Sequence, residues 1–120
     1  MEGYRIPPYD PATVDQGNGT ASASTSDIAL KAAPGVGLRV MATWIAITNT
    51  SPTGTRISVK SGSTTIAVIP APASSAGSAG AVLSFPVPLV CAENEALNFA
   101  CADSVTSVFV SVGVVVGPKA

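Results

Sequence analysis

Residues 38–48 read LRVMATWIAIT, and residues 105–116 read VTSVFVSVGVVV. Both runs are rich in β-branched and aromatic residues, which suit a pleated strand better than a helix. In the first, Leu38, Val40, Ala42, Trp44 and Ala46 share one face, with Met41, Ile45 and Ile47 on the other. In the second, Val108, Val110, Val112, Val114 and Val116 alternate with Ser107, Phe109, Ser111, Gly113 and Val115. Both strands are therefore apolar on two faces. A sandwich core covers one face of each strand, so the second face calls for cover from outside the chain. Self-association supplies that cover. The plainer reading is that Ala, Gly and Thr on this face are small enough to be left in water. The residues expected at a contact between copies are Arg39, Met41, Ile45, Ile47, Phe109 and Val115. Trp44, set among Leu38, Val40 and Ala42, is assigned to the core rather than to a ligand-stacking site.

Shorter strands surround these two. Residues 27–31 form one, closed by Pro34 and Gly35. Residues 56–60 alternate cleanly, with Ile57 and Val59 opposed to Arg56, Ser58 and Lys60. Ser61, Gly62 and Ser63 read as a hairpin leading into a strand at 64–69. Residues 70–80, PAPASSAGSAG, are a small-residue loop. A strand at 81–85 then meets Pro86 and Pro88, which force an extended, edge-like path. Leu97, Phe99 and Cys101 share one face of the next strand. The total is seven or eight short antiparallel strands with turns between them, an all-β sandwich of the jelly-roll kind. No window holds helical periodicity over three turns.

The first 19 residues differ from the rest. Pro7, Pro8 and Pro11 exclude a helix interior, and Gly17, Asn18 and Gly19 read as a turn or joint. Tyr4, Ile6 and Tyr9 are more than a spacer needs. An extended N-terminal arm (residues 1–19) that docks on another protein through Tyr4, Arg5, Ile6, Pro7, Pro8 and Tyr9 is preferred to a disordered end. The body is then one domain, residues 20–120.

Composition narrows the function. Charged residues are 11% of the 120 and the net charge is −1, against roughly 25% charged residues in ordinary soluble domains. Nothing here favours nucleic acid or an anionic membrane. No run reaches the ~20 apolar residues of a membrane span. The N-terminus lacks the apolar stretch of a signal peptide, so synthesis in a cytosol is expected. Cys91 and Cys101 are then thiols, with a bridge between them as the alternative.

Chemistry is scarce. The chain has no histidine, which removes the commonest general base and metal ligand. No phosphate loop is present, and SGSTT at 61–65 lacks the glycines and lysine of one. Glu93 and Glu95 could join Asn94 and Asp103 around calcium, but such a pair is more often a solvated turn. No catalytic, cofactor, metal or small-molecule site is expected. Arg5, Arg39 and Arg56 are candidate interface anchors.

The stretches PGVGLRVMATWIAITNTSPTGTRISVKSGSTTIAVIPAPA (34–73) and GAVLSFPVPLVCAENEALNFACA (80–102), with the valine-rich last strand, resemble capsid decoration (cement) proteins of tailed bacteriophages. The resemblance covers about residues 20–117. It implies a jelly-roll or tumour-necrosis-factor-like homotrimer that binds the major capsid protein on the virion surface and stabilises the shell. The rival it leaves is a head-fibre or tail module that binds a receptor or glycan.

Overall fold

The computed structural model describes residues 13–73, 80–105 and 107–118. Eight strands cross these residues: β1 (Thr13–Ala21), β2 (Ile28–Lys31), β3 (Leu38–Asn49), β4 (Thr55–Ser61), β5 (Thr64–Ala71), β6 (Gly80–Val90), β7 (Leu97–Cys101) and β8 (Val108–Pro118). They form two four-stranded antiparallel sheets, ordered β1-β8-β3-β6 and β2-β7-β4-β5. Every connection except the β4–β5 hairpin passes from one sheet to the other. This is the all-β jelly roll that the strand spacing anticipates.

The core lies between the sheets. Val108, Val110, Val112 and Val114 of β8 face Ile57, Val59, Leu97 and Phe99 of the opposite sheet, all fully buried. The period-two pattern of β4, β7 and β8 puts these residues on one side of each strand. The β4–β5 turn is made by Gly62 and Ser63, and Gly62 takes φ +59°, which a glycine at the first central position of a two-residue hairpin supplies without strain. Prolines fall on the edges: Pro70 in β5, Pro86 and Pro88 in β6. An edge strand needs no outward N–H for a neighbour, so proline is tolerated there.

β3 corrects the reading of its two faces. Its register against both β6 and β8 shifts between Ala42 and Trp44. The bulge at Thr43 turns the strand over, as an extra residue does in an antiparallel pair. Val40 and Ala42 point inward before it, and Ile45, Ile47 and Asn49 after it. Ile45 and Ile47, expected at a contact between copies, are 1% and 2% exposed and belong to the chain's own core. Trp44, expected in the core, lies on the outer face.

β1 corrects the N-terminal boundary. Residues 13–19, read as the end of an arm, pair with β8 without a break, Thr13 opposite Val116 through Ala21 opposite Val108. The glycines are not a joint. A Cβ at Gly17 would sit 2.1 Å from the Leu30 carbonyl oxygen, and one at Gly19 would sit 3.0 Å from both Ile28 and Phe99. They are strand residues that let β1 close down on β2. Tyr4, Arg5, Ile6, Pro7, Pro8 and Tyr9 lie outside the described residues.

Candidate interaction surface

The outer face of the β1-β8-β3-β6 sheet is built by residues that alternate with the core positions. Its register defines rows across the strands. Val14, Val115, Met41 and Val90 make one row. Gln16, Gly113, Trp44 and Ser84 make the next. Asn18, Ser111, Ala46 and Val82 follow, then Thr20, Phe109 and Thr48. None of these side chains is charged. Val14 is 83% exposed, Val82 75% and Phe109 46%. The opposite sheet differs, because Arg56, Ser58 and Lys60 project outward there and Lys60 pairs with Asp27 at 2.8 Å. The missing charge is therefore concentrated on one side of the sandwich.

Two glycines flatten the apolar side. Gly113 lies beneath the Trp44 indole, so close that a Cβ would fall 1.9 Å from Nε1 and 2.5 Å from Cδ1. Gly117 lies beneath the Met41 methyl, 3.2 Å from where its Cβ would be. Trp44 and Met41 therefore lie down on bare β8 backbone instead of standing off the sheet. The Thr43 hydroxyl donates to the Gly113 carbonyl at 3.1 Å and fixes the bulge beside them.

Arg39 stands at the end of this face, where β6 stops. It lines a cleft of about 520 Å3 with Ser61, Val90, Cys91, Ala92 and Glu95. Its Nε is buried and has no hydrogen-bond partner among the described residues.

A chain of the cyanophage Pam1 capsid asymmetric unit has the same fold. The two are 17% identical, the match covers 90% of this chain and 85% of that one, and the TM-score is 0.56. A protein of the Bacillus endospore appendages, described as a novel family of disulfide-linked pili, matches over 91% of this chain and 89% of its own at 10% identity, with a TM-score of 0.54. At these identities the likeness is one of fold. No protein-family model matches the chain, and no curated protein matches it in sequence.

Of the residues expected at a contact between copies, Met41, Phe109 and Val115 share the outer face and Arg39 closes its end. Ile45 and Ile47 do not belong to it. The sequence reading missed Val14, Trp44, Val82 and Val90. Val14 was hidden in the supposed arm, and Trp44 was placed on the wrong side by a bulge that leaves little mark in sequence.

The acidic turn at 93–95 clamps the neighbouring loops. Glu93 accepts from the Gly37 N–H at 2.7 Å, Asn94 from the Gly35 N–H at 2.9 Å, and Glu95 from the Ser61 hydroxyl at 2.6 Å. Asp103 is engaged elsewhere, accepting from Thr55 at 3.2 Å. The described residues hold no group of three or more Asp, Glu, Cys or His side chains arranged for a metal ion.

Cys91 and Cys101 are free, buried thiols. Burial raises the Cys91 value, the Glu95 charge adds to it, and a hydrogen bond with Ser61 works against it. Burial, then the Asp103 charge, raises Cys101. A raised thiol contributes stability that is whole below the ordinary thiol value and is lost as pH climbs through the raised one. Both should therefore react slowly with a disulfide reagent at mildly alkaline pH in the folded protein and rapidly in urea. Fast native labelling of either would show that the site is open.

Proposed function

We propose that the protein is a non-catalytic structural component of a viral shell: a homotrimer that seats on the major capsid protein at the outer surface of a tailed-phage head and stabilises it. The observation that carries this reading is the uncharged, flattened outer face of the β1-β8-β3-β6 sheet. Four strands and about eight residues cover roughly 500 Å2. Packed against a partner surface of equal area, such a face buries about 1,000 Å2 in total, the lower bound of a specific interface. The fold shared with the cyanophage capsid chain and the resemblance of the sequence to cement proteins support the same reading.

A protein of this kind works by mass action. It prefers the assembled shell to free capsid subunits, so each bound copy shifts the equilibrium toward the shell. Several copies held together strengthen contacts that are individually weak. A receptor- or glycan-binding role is less well supported, because Trp44 and Phe109 sit on a strand face rather than in loops.

Light scattering should give a trimer at micromolar concentration, and Val82→Asp with Phe109→Asp should reduce it to monomer while the fold survives. The intact protein should co-sediment with purified heads at a fixed copy number. A wild-type monomer that stays in the supernatant would overturn the proposal.

A further inference from the structure

β6 is a free edge of the uncharged sheet, and its pairing with β3 is broken. Trp44 lies opposite Ser84, and Ala42 lies opposite Leu89. One residue of β3, Thr43, is thus matched by four of β6: Phe85, Pro86, Val87 and Pro88. A simple bulge sets two residues against one. Here the surplus stands off the edge. Phe85 turns back to pack on the core, while Val87 is 80% exposed. Alternation carries the strand through without exchanging its faces. Ser84 lies on the outer side with Trp44, and Leu89, five residues on, packs inward beside Ala42.

The excursion lies where a strand from another molecule would add. An open edge is a template for pairing, and proteins protect it with charge, proline, bulges or short length. On one side of the sandwich β1 and β2 shelter each other. The Lys31–Asp15 ion pair joins them there, and the Leu30 carbonyl presses on Gly17. On the other side are β5 and β6, and neither carries a charged residue. Both are rich in residues that favour pairing. Protection there falls to the backbone. In β5 an extra residue, Ile66, interrupts the pairing with β4, and Pro70 follows, so only residues 67–69 run straight. β6 gives up two N–H groups at Pro86 and Pro88 and loses its line at the excursion.

We propose that the excursion at 85–88 closes the β6 edge to strand addition. Copies of this chain then meet through the sheet face and do not join their sheets into one. The block belongs to the isolated chain and stands whether or not the shell role does.

Parity supplies the test. Removing an even number of residues keeps every later side chain on its own face. Deleting Val87 and Pro88 together with Pro86→Thr leaves two β6 residues opposite Thr43, an ordinary bulge, with Phe85 still inward. Two such edges pair antiparallel about a two-fold axis, so light scattering should give about twice the wild-type mass or more. Amide hydrogen exchange at 81–84 should slow, and Trp44 emission should report an unchanged fold. Ser84→Lys in the shortened strand should return exchange to wild-type rates, since a charge closes an edge. Pro86→Thr with Pro88→Thr at full length should show the same association at higher concentration, which keeps the test open if the shortened strand does not fold. A folded, shortened protein of wild-type mass would overturn the proposal, as would a larger mass without slower exchange at 81–84. So would a double threonine variant that never associates beyond the wild type. The wild-type mass, which tests the trimer, serves here only as the reference, so neither result decides the other.

Discussion

Replacing Gly113 by alanine is expected to destabilise the protein by about 2–3 kcal/mol and to shift the emission of Trp44 to the red. The new methyl carbon would lie 1.9 Å from the indole Nε1 and 2.5 Å from Cδ1 and Cε2. No small adjustment relieves that overlap. Gly113 sits in the middle of β8, hydrogen-bonded between β1 and β3, so its backbone cannot retreat. The indole must lift off the sheet, and its contact with the β8 backbone is lost. Overpacking of this kind typically costs ~1–3 kcal/mol. The usual gain of alanine over glycine through the unfolded state, roughly 0.4–1 kcal/mol, offsets part of it. Trp44 is the only tryptophan in the chain, so its fluorescence reports this one site without ambiguity. Trp44→Ala in the Gly113→Ala background removes the clash, and the pair should be less destabilising than the sum of the single changes. An unshifted spectrum and an unchanged urea midpoint in Gly113→Ala would mean that the indole does not lie on β8.

That contact also explains why the sequence misleads at β3. Two apolar faces in one strand look like surplus apolar surface. In β3 they are mostly one face seen twice, because the bulge at Thr43 moves the inward set from Val40 and Ala42 to Ile45 and Ile47. Alternation read in phase through residue 43 therefore places Trp44 inside and the isoleucines outside. β8 has no such break in its pairing with β1, and there the reading holds: the even valines from Val108 to Val114 are buried and Phe109 and Val115 face out. The jelly roll was legible because β4, β7 and β8 alternate strictly and Pro86 and Pro88 mark the β6 edge, whereas Pro70, read as the start of a loop, lies within β5. β1 was not, because a strand that crosses close over a neighbour must use glycine, and Gly17-Asn18-Gly19 is also the composition of a turn. The orphaned Nε of Arg39 belongs to tertiary structure, where β6 happens to stop, and no local pattern announces it.

Asn49→Ala should be the most damaging polar-to-apolar change in the chain, costing about 3–4 kcal/mol in urea unfolding. Asn49 ends β3 with its side chain fully buried and both of its amide hydrogens donated. Nδ2 donates to the Thr53 carbonyl at 3.0 Å and to the Ala71 carbonyl at 3.1 Å, while Oδ1 accepts from the Ser51 N–H at 2.9 Å. One side chain thereby closes the β3–β4 turn and ties it to the end of β5, on the other sheet. Alanine would leave two carbonyls and one N–H without partners in a place water reaches poorly, and each unmet group costs roughly 1–3 kcal/mol. The estimate lies below the sum because the turn can open and let water in. Asn49→Asp separates hydrogen bonding from size: it keeps the acceptor for Ser51 but turns a carboxylate toward two carbonyl oxygens, so it should be at least as harmful and should recover partly at acid pH, when the protonated acid can donate once. Thr48→Ala, one residue away on the exposed face, should change stability by less than about 0.5 kcal/mol. If Asn49→Ala costs no more than Thr48→Ala, the two sheets are not joined through this side chain, and the rigidity of the β3–β4 corner must come from Ser51 and the packing of the core instead.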